Sequence, residues 1–201
     1  QPLQSGEVII NRSAGTAKFP AKFQLVLAAN PCPCGNSVGT GKGCRCSEQQ
    51  RAKYLAKLSG PLLDRVDIRL QIKSATPAQM ALARSELDTK GKAVRSTQVL
   101  RERVAAARDK AELRLSGTPW RTNSQVPGSY LRKYFPISSD VVARLEKALD
   151  QGRISMRGYD RCLRVAWSVA DLAGRDTPNE YDIAKAIFLR GSDLAVGGAN
   201  G

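Results

Sequence analysis

The chain has 201 residues, of which 42% are hydrophobic and 25% charged. These proportions are those of an ordinary globular protein and exclude a wholly disordered chain. Lys and Arg number 32 against 18 Asp and Glu, a formal net charge of +14, and the net positive charge per residue is higher in residues 1–74 than in the rest of the chain. An excess of this size predicts a phosphate-bearing partner such as nucleic acid, although surface charge that serves only solubility remains an alternative.

Several classes of protein are excluded by what the sequence lacks. No apolar run approaches the roughly 18–20 residues of a membrane-spanning helix, so we expect no membrane partner. The first residues, Gln1–Gly6, lack both the features of a signal peptide and an initiator Met, which predicts a cytoplasmic chain that belongs to a longer protein. Because the sequence contains no His, a Ser or Cys nucleophile activated by His is also excluded.

Four of the five cysteines form two close pairs, Cys32 with Cys34 and Cys44 with Cys46. Two such pairs joined by a short loop could present four thiolates to one tetrahedral metal ion, for which zinc is the best match. Two disulfides or four reduced thiols remain alternatives at this point. Cys162 lies in an apolar helical pattern and is predicted to be an inert core residue.

The first predicted elements are a hairpin and a buried strand. Glu7–Phe19 reads as two short strands joined by a turn that contains Gly15. The nearly unbroken apolar run Phe23–Ala29 is typical of a strand buried in a parallel sheet, and Pro31 would end it. Asn30 would then lie at the carboxyl end of that strand, where open α/β sheets bind ligands.

A helix and a second strand are predicted next. Ser47 begins a capping-box pattern, and the helix that follows would end before Gly60. Apolar and polar residues alternate over Val66–Ile72, which predicts a strand with one buried face.

Residues 75–137 are predicted to form a connector that contains one long helix. The polar stretch 74–92 indicates one or two helical turns. Val94–Leu115 carries apolar residues at helical spacing, which predicts a long amphipathic helix. Residues 116–137 contain two Gly and three Pro and are predicted to be mostly irregular.

The last third is predicted to be helical. One helix would be capped by Ser138 or Ser139, a second would span Ser155–Ala173, and a third would begin with a capping box at Thr177. The Gly- and Ala-rich residues 192–201 are predicted to be a disordered tail.

Two segments resemble the magnesium-chelatase-like branch of the AAA+ ATPases: Ala28–Pro31 and Ser59–Asp67. The resemblance implies that Asn30 is the sensor 1 residue, which orients the attacking water near the γ-phosphate of ATP. It implies that Arg65 is the arginine finger, which reaches the nucleotide of a neighbouring subunit, where a fixed cation stabilises charge on the transferred phosphoryl group. By the same likeness Arg157 is the sensor 2 residue, which contacts the nucleotide phosphates.

Each arginine also has a plainer interpretation. Arg65 could form a surface ion pair with Asp64 or Asp67. A stripe of three basic residues at helical spacing is more often a solvated helix face than a binding site. The residues of this stripe are Arg157, Arg161 and Arg164.

Within that branch, Asn30–Gly35, Cys44–Cys46 and Ser59–Arg65 are most similar to the ComM/YifB competence protein family. Members of this family are hexameric, ATP- and Mg²⁺-dependent DNA motors that promote branch migration in natural transformation and recombination. The resemblance therefore implies ATP and Mg²⁺ as cofactors, DNA as partner, and neighbouring subunits of a homohexamer.

The resemblance also implies a fold of the α/β plus α class. Residues 1–74 would be the second half of an AAA+ parallel-sheet core, and residues 138–191 a helical lid. The hairpin Glu7–Phe19 would line the channel of the hexamer, with Arg12 and Lys18 facing the DNA backbone.

One departure from the family is that the sequence contains neither a Walker A nor a Walker B motif. Without the phosphate cradle and the Mg²⁺ carboxylate, this chain alone is predicted to have no ATPase activity. Two alternatives remain: a chelatase-type subunit that remodels a protein partner, and a non-enzymatic, zinc-stabilised DNA-binding module.

Overall fold

The computed structural model describes residues 5–13, 15–37, 43–58, 60–72, 75–89 and 96–191. The predicted tail, residues 192–201, lies outside them. The chain divides into two compact units, one ending at Arg65 and the other beginning at Val66.

The first unit opens with the predicted hairpin, which is confirmed. Strands β1 (Glu7–Arg12) and β2 (Gly15–Pro20) pair antiparallel, from Glu7 opposite Pro20 to Arg12 opposite Gly15. Gly15 has a φ of +140°, a conformation that favours glycine at the turn.

The predicted strands Phe23–Ala29 and Val66–Ile72 are not formed, so these two predictions are wrong for this chain. Neither segment pairs with another strand in the described residues, and β1 and β2 bond only to each other. The side chains that a sheet would bury are open to solvent: Val26 is 81% exposed and Ile72 87% exposed. An apolar pattern can indicate a strand, but a strand also needs a neighbouring strand to pair its backbone groups, and the described residues supply no such strand to either segment.

The first unit also contains two helices. Helix α1 (Glu48–Leu55) begins at the predicted capping box: the Gln50 backbone N–H donates to Ser47 Oγ at 3.2 Å. The Ser47 N–H donates to the Gln50 side-chain carbonyl at 2.9 Å. The short helix α2 (Gly60–Leu63) leads directly to Arg65.

The second unit is helical in all its described regular elements. Its helices are α3 (Pro77–Thr89), α4 (Thr97–Arg114), the 3-10 helix Asn123–Gln125, α5 (Gly128–Tyr134), α6 (Ser139–Asp150), α7 (Met156–Leu172) and α8 (Glu180–Arg190). The helical character predicted for the last third is confirmed. Helix α3 is longer than the one or two turns expected, and α5 lies where the sequence indicated mostly irregular chain.

Helix α7 forms the centre of the core, because α4, α5, α6 and α8 all pack against it. Its buried side chains include Leu163 and Trp167, which join Leu145 of α6 and Ile183 of α8 in one apolar cluster. Cys162 is also buried in this cluster, as predicted, and burial raises the pKa of its thiol to about 11.

A buried polar network joins α4 to α7. The Arg114 guanidinium donates to both carboxylate oxygens of Asp171, at 2.7 and 2.8 Å. Asn123 completes the network by accepting from Arg114 and donating to Asp171, each at 2.8 Å. Arg114 also lies over the Trp167 ring, 4.3 Å from its centroid. Both carboxylate oxygens of Asp171 and both polar side-chain atoms of Asn123 are therefore hydrogen-bonded, as burial requires.

The capping residue of α8 differs from the prediction, which placed the capping box at Thr177. The cap is Asn179: its side chain accepts from the Asp182 N–H at 3.2 Å, and the Asp182 carboxylate accepts from the Asn179 N–H at 3.0 Å. Asp182 is fully buried and also pairs with Arg175. Asn179 caps the helix because the Asp182 carboxylate both closes the capping box and pairs with Arg175.

Candidate functional site

The four paired cysteines converge on one point. Their sulfur atoms all lie within 4.8 Å of one another. Three of the Sγ–Sγ separations are 3.4 Å for Cys32–Cys34, 3.7 Å for Cys32–Cys44 and 3.8 Å for Cys34–Cys44. All four thiols are free, so the alternative of two disulfides is not formed.

These separations fit a tetrahedral metal ion. Zinc bound by thiolates at the usual distance of about 2.3 Å places its sulfur ligands about 3.8 Å apart. A disulfide would instead bring two sulfurs to about 2.05 Å. Cys32, Cys34, Cys44 and Cys46 could therefore hold one zinc ion with small adjustments of their side chains.

Local backbone structure brings the two pairs together. After Cys32 the chain turns tightly, with the Gly35 N–H donating to the Cys32 carbonyl at 3.0 Å and Gly35 at a φ of +77°. The second pair ends at Cys46, immediately before Ser47, which caps α1. One pair is thus fixed by a turn and the other by the start of a helix.

The thiols of the four-cysteine centre differ in their pKa values. Hydrogen bonds from the backbone of Asn36 and Arg45, together with the Cys32 thiol, lower the pKa of Cys34 to about 6. The Cys46 thiol receives a backbone hydrogen bond from Cys34, but its contacts with the other thiols and its burial raise its pKa to about 11. Four thiolates this close repel one another, and a divalent cation is the natural way to hold all four in the charged form.

Arg51 of α1 is a residue of this centre that the sequence did not reveal. Its Nη1 donates to the Cys46 carbonyl at 3.0 Å and lies 4.0 Å from the Cys44 sulfur. A guanidinium here offsets the negative charge that four thiolates would bring. The sequence did contain one indication of this role: Arg51 lies in the second turn of a helix that begins just after the last cysteine pair.

Asn30 lies just before the cysteine turn and is exposed. Its side-chain amide is next to Gly35: a Cβ atom added at Gly35 would lie 3.8 Å from the Asn30 nitrogen. The predicted sensor 1 residue is thus adjacent to the four-thiol centre, and its role at a nucleotide stays a prediction.

Arg65 is half-buried after the end of α2, and its Nη1 donates to the Pro61 carbonyl at 2.7 Å. Asp67, one of the two partners that an ordinary surface ion pair would give Arg65, pairs with Arg161. The assignment of Arg65 as an arginine finger stays a prediction.

The basic stripe of α7 separates into residues with different environments. Arg161 is only 8% exposed and pairs with Asp67. Arg164 is half-buried, and its Nε donates to the Val126 carbonyl at 2.7 Å. Arg157, the predicted sensor 2 residue, is exposed in the first turn. A uniformly solvated face therefore does not describe the stripe.

The two predicted DNA contacts lie on opposite faces of the hairpin. Lys18 is directly opposite Ile9 in the ladder, whereas Arg12 is opposite Gly15, and the side-chain alternation along each strand puts them on different faces. Both are exposed, and Lys18 lies 3.8 Å from the Glu7 carboxylate. A strand of DNA would have to meet the hairpin at its tip or edge to contact both.

In the part of the chain that the structure describes, no helix combines the length and the apolar character needed to cross a bilayer.

Comparison with known proteins gives matches along most of the chain. Residues 1–80 match the family model of magnesium chelatase, subunit ChlI, and residues 94–190 match the model of the C-terminal part of the same subunit. An uncharacterized protein of Mycobacterium tuberculosis is 46% identical over 94% of this chain. Competence protein ComM of Haemophilus influenzae is 34% identical over 94%, and YifB of Escherichia coli is 31% identical over 96%.

The matched region is a minor part of each relative. It makes up 35% of the Mycobacterium and Haemophilus proteins and 36% of the Escherichia coli protein. Activities of the whole relatives are therefore not transferred by these matches alone. With both ChlI family models matched and this set of homologues, the chain belongs to the magnesium chelatase-like family and is homologous to ComM and YifB.

Proposed function

We propose that this chain is part of an ATP-driven, hexameric AAA+ motor that moves DNA during natural transformation and recombination. The observation that carries the proposal is the match to Competence protein ComM over 94% of the chain, within a family defined by a chelatase subunit. Because the chain spans about a third of the length of these relatives, the proposal concerns the whole protein.

Three residues are assigned to the reaction. Asn30 would orient the attacking water, Arg157 would hold the nucleotide phosphates, and Arg65 would act on the nucleotide of a neighbouring subunit. ATP with Mg²⁺, bound mainly by residues outside this chain, would supply the phosphoryl group. The Arg65 guanidinium would then stabilise the charge that develops on that group, and its hydrogen bond to the Pro61 carbonyl would limit its motion before the neighbour arrives.

DNA is the proposed substrate because of charge and exposure. The net charge is +14, and the hairpin that carries Arg12 and Lys18 is exposed along both strands except at Val8. Lys and Arg at such a surface bind DNA backbone by releasing its counter-ions, without sequence preference. A motor that tracks DNA needs contacts of this kind.

Zinc is the proposed occupant of the four-thiol centre. The sulfur separations support it, and so does Arg51, which lies beside two of the four ligands. The metal would supply structure and no reaction step: it would fix the turn that follows Asn30. Free thiols in this arrangement are those of a reducing compartment, so we place the protein in the cytoplasm.

A second candidate function is a chelatase-type subunit that uses ATP to remodel a protein partner. The specific observation that favours it is that both matching family models describe a magnesium chelatase subunit. The two candidates share the ATPase residues and differ in the partner.

The discriminating experiment is ATP turnover by the whole protein, with and without forked DNA. We expect DNA to stimulate turnover and Arg65→Ala to abolish it, while Arg121→Ala, a change at an exposed arginine with no assigned role, leaves it unchanged. Turnover that ignores DNA but still requires Arg65 would favour the chelatase-type candidate. Turnover that survives Arg65→Ala would contradict the arginine-finger role that both candidates assign to Arg65.

A further inference from the structure

The helical unit contains a cleft that the proposed ATPase residues do not use. Its volume is about 430 Å³, and it lies between α4, α7 and α8, beside the segment that carries Ile68. The floor is apolar, formed by Val165, Val169 and Leu172 of α7 and Leu189 of α8. Arg157 is not among the lining residues. Cavities of roughly 300–1,000 Å³ with an apolar lining and a few polar groups are typical of small-ligand sites.

Four cationic side chains surround this floor: Arg103, Arg164, Arg175 and Lys185. Among the described residues only Arg175 forms a salt bridge with a carboxylate, and Arg164 interacts with the Asp67 carboxylate without one. Arg103 is anchored by a single bond, from its Nε to the Leu172 carbonyl at 3.0 Å, so its two Nη groups remain available to a ligand. The rim of the cleft therefore carries more positive charge than the described residues neutralise.

The strongest sign of an anionic ligand is Arg164. It is half-buried, and burial, followed by repulsion from Arg161, lowers its pKa. The carboxylate in the cleft lining, Asp67, is paired with Arg161. Two guanidinium groups thus share one carboxylate, and a desolvated cation without a full counter-ion is costly unless something else supplies negative charge.

The rim also carries an aromatic residue. Tyr181 lines the cleft and is 62% exposed, with Lys185 Nζ 5.5 Å from the centroid of its ring. Proteins that bind single-stranded nucleic acid stack bases on aromatic rings and hold the backbone with nearby basic side chains, and Tyr181 with Lys185 offers both groups. An acidic peptide would match the charge alone, whereas a nucleotide joins a flat apolar base to a phosphate within one unit that suits this volume.

We propose that this cleft binds a single nucleotide, with its base between the apolar floor and Tyr181 and its phosphate held by Arg103, Arg164 and Lys185. The nucleotide could belong to a single strand of DNA or be free in solution, and the chemistry of recognition is the same for both. The strand source rests on the proposed DNA-directed function. The test uses binding without ATP turnover, so the two proposals can fail separately.

The experiment measures binding to the full chain of residues 1–201. A fluorescein-labelled oligothymidylate is titrated by anisotropy, and thymidine monophosphate by calorimetry. Lys185→Gln and Arg103→Gln change exposed side chains, while Arg164→Gln tests the half-buried cation. The matched controls are Arg144→Gln and Lys147→Gln, which remove the same charge from exposed positions of α6 that do not line the cleft.

We expect each cleft variant to bind about tenfold more weakly, as loss of one charge-assisted hydrogen bond to phosphate predicts, and the controls to bind as the original chain. Photocrosslinking with an oligonucleotide that contains 5-iodouracil should label Tyr181. Tight binding of the oligonucleotide alone assigns the cleft to a DNA strand, and equal binding of the monophosphate assigns it to a free nucleotide. Equal affinities for cleft and control variants without a Tyr181 adduct would overturn the proposal, as would cleft-dependent binding of polyglutamate in place of either nucleotide.

Discussion

The arginines of this chain show how far the environment of one residue decides its role. Arg114 is committed to a buried ion pair with Asp171, and Arg51 contacts the carbonyl and sulfur atoms of two cysteines. Arg157 remains exposed, seven residues before half-buried Arg164 on the same helix. Sequence spacing places Arg157 and Arg164 on one stripe, but burial depends on what packs against each turn, and spacing does not contain that information.

The uneven pKa values of the cysteines predict an order of chemical reactivity in chelator-treated chain. A lowered pKa makes Cys34 mainly thiolate above about pH 6, whereas Cys46, with its pKa near 11, stays a thiol through neutral pH. Iodoacetamide at pH 7 should therefore modify Cys34 well before Cys46. Buried Cys162, whose pKa is raised to about 11, serves as the internal control and should stay unmodified while the chain is folded. Peptide mass spectrometry as a function of pH measures each site.

Zinc loading extends the same measurement. With one equivalent of zinc, modification of Cys32, Cys34, Cys44 and Cys46 should stop together, because one metal ion would hold all four sulfurs. Protection of only one pair, or of none, would contradict a single four-thiolate centre.

At the scale of elements, local signals and long-range signals differ in what they predict. The capping box of α1 and the apolar periodicity of α7 involve neighbours a few residues apart, and both helices appear where the sequence indicates. Phe23–Ala29 and Val66–Ile72 carry equally clear patterns but need partner strands, so their patterns do not produce strands in the described chain. The shift of the α8 cap from Thr177 to Asn179 depends on a buried ion pair of Asp182, which again is a tertiary contact.

The contact between α4 and α7 gives a stability prediction. Asp171→Asn removes the charge that Arg114 requires inside the core, and breaking a buried pair from one side costs about 3–5 kcal/mol. We expect urea unfolding of the chain to show a loss of that order in the free energy of unfolding. The matched control is Asp109→Asn on the exposed face of α4, which should change it by less than about 0.5 kcal/mol. A small effect of Asp171→Asn would mean that Asn123 and solvent satisfy Arg114 without the carboxylate.

At the scale of the whole molecule, the sequence predicts the helical unit, the hairpin and the convergence of the four cysteines. The cleft of the helical unit could not be predicted from the sequence, because Arg103, Arg164 and Lys185 come from three different helices and meet only through packing. Apolar patterns alone could not predict whether the parallel sheet forms, because its hydrogen bonds would join segments that are distant in sequence. The proposed motor function adds what physical patterns do not: Asn30 and Arg157 would act on the nucleotide of their own subunit, and Arg65 on that of a neighbouring subunit.

The most direct measurement of that claim is a subunit-mixing experiment on the whole protein. Arg65→Ala and Asn30→Ala should each abolish DNA-stimulated ATP turnover. If Arg65 acts on the neighbour's nucleotide while Asn30 acts on its own, each Arg65→Ala subunit retains an intact Asn30. An Asn30→Ala neighbour can supply the Arg65 that this site needs. We predict that a mixture of the two inactive variants regains turnover, at about a quarter of the original level if the subunits of a ring exchange at random. A mixture as inactive as either variant alone, from subunits shown to exchange, would contradict it.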